Sequence, residues 1–235
     1  MAGNRTEERV GRSMVFQAWR TVAFLHWRVD PALVAAHLPP GLVPDTVDGA
    51  AWVSLTPFRV ARSSLFDLPA VPVVSSFHET NLHTYVRGLD GRDGLWFFSL
   101  DVDSLANVAG GRIGGLPYFL SAMSMQNDSL VRYRSRRRIG RPADHDITIA
   151  PLGPITGDDD LPAQLVGRWR AYHAVGPRLA EIPVDHQPWP LRHAELVACH
   201  ETLLAGAGLG PPAAPDLVHF SEGVDARLGP PRLVV

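Results

Sequence analysis

Strand-like segments closed by proline or glycine recur along the whole chain and leave little room for a helical fold. Val22–Val29 is apolar and aromatic, and Ala50–Val60 follows the turn signal Asp48-Gly49. Val74–Arg87 and Leu95–Val102 flank Gly88–Gly94, whose Asp-Gly steps suit a hairpin. Tyr118–Met125, Ser129–Ile139, Asp146–Leu152, Leu217–Phe220 and Val224–Leu228 continue the series, while residues 61–73 read as a loop. Helical pattern is confined to short stretches. Ala32–Leu38 is opened by Asp30 as N-cap and Pro31 in the first turn, and a second helix is placed around Ser104–Ala109. Asp160–Arg170 has an acid at its start and arginine near its end. The expectation is an α+β, mostly β chain, folded as one antiparallel barrel or sandwich.

Size and composition agree with a single core. A chain of 235 residues with 46% hydrophobic and 20% charged side chains buries roughly 70–75% of its unfolded surface without staples. Residues 1–13 are polar and read as a flexible N-terminus, and residues 14–235 as one domain without repeat or linker. The net charge of −2 gives no general pull toward nucleic acid or anionic membrane. No apolar run approaches the length of about 18 residues that a membrane helix needs. The single Cys199 closes no internal disulfide, which suits a reducing compartment and predicts a cytoplasmic protein. All 22 cationic side chains are arginine. Without a lysine amine, the chain forms no lysine Schiff base and holds no pyridoxal phosphate.

The chemically richest segment is Val74–Arg87. Side chains alternate along a strand, so Glu79, Asn81, His83, Tyr85 and Arg87 share one face. Such a row is either solvated or lines the inside of a ligand-holding barrel. His78-Glu79 begins like a zinc-protease motif, but the next histidine, His83, falls at the wrong spacing on a non-helical segment. Gly110-Gly111-Arg112-Ile113-Gly114-Gly115 departs from the dinucleotide fingerprint and reads as a tight turn. Arg132, Arg134, Arg136 and Arg138 alternate on one strand beside Arg137 and Arg141. With only Tyr133 interleaved, that cluster suits a solvated edge or subunit contact better than a nucleic-acid groove. Trp189, between Pro188 and Pro190, reads as a plug for a core or interface.

Taken in order, several stretches resemble one family. They are Trp19-Arg20 with His26-Trp27, Leu38-Pro39-Pro40-Gly41-Leu42, Asp48 through Val53, and Glu79 through Val86. Phe97 through Asp101, Leu116-Pro117-Tyr118 and Tyr133-Arg134-Ser135-Arg136 follow. His186 with Pro188-Trp189-Pro190-Leu191, and His219-Phe220-Ser221 with Gly223-Val224, complete the set. This pattern is similar to the YqjF-like family within the acetoacetate-decarboxylase-like superfamily. The resemblance implies a closed, cone-like antiparallel β-barrel with short flanking helices and a polar internal cavity, which moves the Glu79 row toward the cavity wall. It also implies that Tyr118 stands where the decarboxylases carry their imine-forming lysine. Phe77-His78-Glu79 resembles the element bearing their substrate-facing glutamate, and Arg20, ahead of Asp30, their carboxylate-holding arginine. His83 stands where the family usually has arginine.

The expected activity is acid/base chemistry of the lyase, dehydratase, cyclase or isomerase kind on a small oxo- or carboxylate-bearing metabolite, with no imine. The alternative is a non-catalytic ligand-binding protein on the same barrel. Candidate catalytic residues are Glu79, Tyr118 and His83; candidate substrate-binding residues are Arg20, Asn81, Tyr85 and Arg112. The expected partner is a small molecule, with no cofactor, metal, nucleic acid or membrane, and a homo-oligomer is left open.

Overall fold

A computed structural model describes residues 10–66, 75–156, 160–210 and 213–234. Its strands, in chain order, are β1 (Val15–Val29), β2 (Leu42–Pro44), β3 (Ala51–Leu65), β4 (Phe77–Gly88), β5 (Asp93–Val102), β6 (Tyr118–Asn127) and β7 (Val131–Arg137). They continue as β8 (Asp144–Pro154), β9 (Arg170–Val175), β10 (Arg178–His186), β11 (Leu191–Glu201), β12 (Leu217–Leu228) and β13 (Arg232–Leu233). The helices are α1 (Pro31–Ala35), α2 (Leu105–Ile113), α3 (Asp160–Val166) and α4 (Leu203–Gly206). None is long and apolar enough to cross a membrane.

The sheet closes on itself. β1, β3, β4, β5, β6, β7, β8, β11 and β12 form a ring of nine strands. β9 and β10 bridge β5 to β12 and so close a second, smaller ring against the shared wall β12-β1-β3-β4-β5. The expected closed barrel is present, but its ladder is mixed: β5 runs parallel to both β6 and β9. The helix-containing connections α2 and α3 allow this, since parallel neighbours need a crossover and cannot be joined by a hairpin.

Alternation on the shared wall sends residues into two compartments. Leu25 of β1, Leu55 of β3 and Leu82 of β4 meet Ile147 and Ile149 of β8 inside the nine-strand ring, where all are fully buried. Val34 of α1 and Leu203 and Leu204 of α4 pack against the same cluster. The Asp30 carboxylate caps α1 by accepting from the Ala32 N–H. The opposite faces of β1, β3 and β4 look into the smaller ring.

Two irregularities set which residues go where. Thr21 has φ +53, and the β1–β3 register shifts between Arg20 and Leu25. Gln17 and Trp19 therefore face the smaller ring before the kink, and Val22 and Phe24 after it. The interruption by Gln17, Arg20 and Thr21 explains why the apolar run predicts only Val22–Val29. Gly223, at φ +124, lies so close to the Trp19 carbonyl and the Arg20 Cα that no side chain fits. That close approach merges the two expected closing strands into the continuous β12. Of the expected flexible N-terminus, residues 1–9 lie outside the described residues, while Val10 is buried. The expected loop at 61–73 is strand through Leu65, and residues 67–73 lie outside the described residues.

Candidate functional site in the smaller ring

Four consecutive positions of one β4 face, Glu79, Asn81, His83 and Tyr85, line a cavity of about 150 Å³. Its remaining walls are largely apolar and aromatic: Trp19 and Phe24 from β1, Phe58 from β3, Phe97 and Leu100 from β5 and Trp189. Trp189 stacks on Trp19 with the rings 10° apart and donates its indole N–H to the Val166 carbonyl at 3.2 Å. The expected core plug thus forms cavity wall. Tyr118, at the start of β6, completes the group of polar residues read from sequence. Its ring rests directly on Gly111, where any side chain would collide with it. The glycine cluster is therefore not only a turn: α2 runs through Gly110 and Gly111, and the lack of a side chain at Gly111 seats Tyr118.

Desolvation dominates the electrostatics of this space. Burial pushes the Glu79 carboxyl up to about 8, against a weaker opposing pull from the Asn81 side-chain hydrogen bond. Glu79 Oε2 and Asn81 Oδ1 are buried without a partner. Glu79 is thus a carboxylic acid at neutral pH, with its proton near the balance point. Tyr118 is held well above the ordinary phenol range by burial and then by the Glu79 charge, so it stays an O–H donor. His83 is driven down to about 3, first by burial and second by the positive charge of Arg168. The imidazole is therefore uncharged near neutrality, with Nδ1 buried and without a partner. Tyr85 is likewise raised by burial, and its hydroxyl meets His26 Nδ1 at 3.2 Å.

Arg168 was missed from sequence. The segment Asp160–Arg170 reads as a helix ending in arginine, but α3 stops at Val166. The Gly167 N–H closes the helix onto the Ala163 carbonyl at 2.9 Å, where a side chain on residue 167 would strike that oxygen. The chain then turns extended, and Arg168 and Arg170, two apart, both reach the cavity wall. The signal was Gly167-Arg168-Trp169-Arg170, a glycine stop followed by period-two alternation. Arg168 Nη1 donates to Asp45 Oδ2 and Asp93 Oδ2, each at 2.6 Å, and the guanidinium sits 5.2 Å from the Tyr85 ring centroid.

Two expected binding residues are elsewhere. Arg20 follows Trp19 on the strand and so faces away from the cavity; it is exposed and pairs with Asp225 at 2.5 Å while donating to the Trp19 and Val224 carbonyls. Arg112 is exposed on α2, donates to the Tyr118 carbonyl at 2.8 Å and leans over Phe119. It braces the start of β6 from outside. The β7 arginines are largely matched internally: Arg132 and Arg134 pair with Asp146, and Arg137 is buried against Asp101. His78 pairs with Asp103 at 2.7 Å. Among the described residues, no three His, Cys, Asp or Glu side chains gather as metal ligands.

Comparisons place this architecture among known proteins. The uncharacterized protein YqjF of Bacillus subtilis is 34% identical over 220 residues, covering 92% of this chain and 90% of that protein. Three solved structures share the fold, each with a TM-score of 0.66. The enduracididine biosynthesis enzyme MppR, complexed with pyruvate, is 17% identical, with 97% of this chain and 92% of that one covered. An acetoacetate decarboxylase-like enzyme from Sphingomonas wittichii RW1 is 16% identical over 97% and 96%. The acetoacetate decarboxylase of Legionella pneumophila is 16% identical over 99% and 94%. At these identities the structures establish the fold alone. Residues 16–225 match DUF2071, a family described as an uncharacterized conserved protein, and the chain belongs to that family.

Proposed function

We propose that the protein is an enzyme that moves a proton on a small oxo- or carboxylate-bearing metabolite held in the smaller ring, in a lyase, dehydratase, cyclase or isomerase reaction. The observation that carries this reading is Glu79, buried on the cavity wall, with Oε2 unpartnered and its carboxyl raised to about 8. A general acid or base works best when its proton is balanced near the operating pH, and burial brings this carboxyl there. Glu79 donates its proton to a substrate atom, and the resulting carboxylate takes one back later in the cycle. Tyr118 supplies a fixed hydrogen bond to a developing oxyanion, and Asn81 and neutral His83 orient the ligand. With no lysine in the chain, no lysine imine takes part. That an enzyme of the same fold holds pyruvate supports a ligand of that size.

The second reading, a non-catalytic receptor, draws its support from Tyr118 standing where the resemblance expects the nucleophilic lysine. A cytoplasmic location is part of this proposal, supported by the lone half-buried Cys199, whose thiol is raised by burial to about 11. Mass spectrometry of small molecules copurifying with the protein supplies the ligand for the deciding test. Glu79→Gln is expected to abolish turnover of that compound with affinity changed by no more than about threefold. Unchanged turnover removes Glu79 as proton carrier, and binding without turnover in the parent protein favours the receptor.

A further inference from the structure

The guanidinium of Arg168 is used from one side only. Nη1 carries both ion pairs, to Asp45 and Asp93, while Nε and Nη2 are buried without a partner on a residue of the cavity wall. Two other arginines of this chain grip a carboxylate through the Nε–Nη2 edge. Arg132 meets the two oxygens of Asp146 through Nε at 2.7 Å and Nη2 at 2.6 Å. Arg137 meets Asp101 the same way, both bonds at 2.8 Å. Buried donors without acceptors are costly and mark places where a partner binds.

We propose that Arg168 is the anion-recognising residue of the cavity, its Nε–Nη2 edge receiving the carboxylate of a small monocarboxylic acid. This deepens the functional reading above and rests on it for the cavity being a ligand site. The fork of N–H donors matches the two oxygens of a planar carboxylate. Asp45 and Asp93 fix the guanidinium from behind, and each is shared with a second arginine, Arg87 and Arg170 respectively. Glu79 and His83, on the same cavity lining, are neutral near pH 7, so a single negative charge is accommodated; a dianion would add a second one beside Asp45 and Asp93. The cavity volume of about 150 Å³ and its aromatic walls leave room for a short apolar or oxygenated remainder. Held this way, the ligand's carboxylate sits at the Arg168 end, and its remainder extends toward Glu79 and Tyr118.

L-lactate and its neutral amide, lactamide, test this by calorimetry, together with the ¹⁵N–¹H signals of arginine Nε groups. The expected result is that the protein binds lactate about ten- to a hundredfold tighter than lactamide, as a charge-assisted bidentate contact supplies. The Arg168 Nε–H signal is expected to move with lactate and not with lactamide. Arg168→Lys keeps the charge near Asp45 and Asp93 and removes the fork; it is expected to lose the preference while binding lactamide within about twofold of the parent. Lactate carries no ketone or aldehyde group, so the introduced amine forms no imine with it. The signal shift is read on the parent protein and decides the matter even where the variant fails to fold. Equal affinity for the two probes, no lactate binding, a shift confined to other arginines, or a preference kept in Arg168→Lys overturns the proposal. Glu79-dependent turnover without carboxylate preference removes the Arg168 assignment alone. Carboxylate preference with Glu79-independent turnover removes the acid/base reading alone.

Discussion

Thr80 and Leu82 face the nine-strand ring, whereas Glu79, Asn81 and His83 face the smaller one, although all five lie on the same strand. In the larger compartment Leu82 packs against Leu25, Leu55, Ile147 and Ile149, and Thr80 pairs with His145 at 2.9 Å. In the smaller one Glu79, Asn81, His83 and Arg168 all keep buried polar atoms without protein partners. On the larger-ring face of β4, Leu82 is packed and the Thr80 hydroxyl is paired, although His145 Nδ1 beside it lacks a partner; on the smaller-ring face, Glu79, Asn81 and His83 all keep unpartnered polar atoms. Stability and ligand binding are thus divided by the two faces of a single wall, and a substitution is expected to report on the compartment it faces.

The sharpest way to break this division is to truncate neighbours on β4. Leu82→Ala should cost about 2–5 kcal/mol in urea unfolding, as for fully buried leucines, because the nine-strand ring cannot close over the gap. Asn81→Ala, one residue earlier, should cost about 1 kcal/mol, since its Oδ1 has no partner to lose and only its hydrogen bond with Glu79 goes. Comparable costs would mean that the cavity wall is as tightly integrated as the core. The two arginines form a second pair. Arg168→Ala leaves the buried Asp45 and Asp93 with one arginine each, Arg87 and Arg170, and should lose about 2–4 kcal/mol, whereas Arg20→Ala removes an exposed ion pair and should lose about 0–1 kcal/mol and no ligand affinity. A large affinity loss in Arg20→Ala would return the anion site to β1.

Much of this division is visible in the sequence. Period-two alternation put Glu79, Asn81, His83, Tyr85 and Arg87 on one face; the first four line the cavity, while Arg87, at the end of the strand, is exposed and pairs with Asp45. The closed barrel followed from the many strand segments and the family resemblance. Arg20 lies outside the cavity because it follows the cavity-lining Trp19 on β1 and so takes the opposite face, where it pairs with Asp225. Arg168 was hidden because arginine at the end of a helical pattern has a sufficient local explanation in the helix dipole. Only the packing of β9 against β5 shows that the side chain turns inward.

The pH dependence separates the faces by smaller effects. Glu79 has a folded pKa above its unfolded value, so the native state is relatively stabilised below about 4.5 and loses that advantage as pH rises to about 8. Glu79→Gln should remove this decline, making the variant more stable than the parent above pH 8. His83 and His145 are depressed to about 3 and about 4, so their contribution is present above 6.5 and is lost as pH falls through that window. His83→Gln should therefore flatten the acid limb of a stability profile between about pH 6.5 and 3. An unchanged acid limb would show that His83 is not held neutral in the fold.

The central claim is that the smaller ring keeps Glu79 as a carboxylic acid at neutral pH. Its side-chain carboxyl can be followed directly by ¹³C NMR through a pH titration, with Glu79→Gln identifying the signal. A protonated carboxyl at pH 7, with a midpoint near 8, is the expected result. An ionised carboxylate at pH 7, titrating near the ordinary glutamate value of about 4.3, would contradict it.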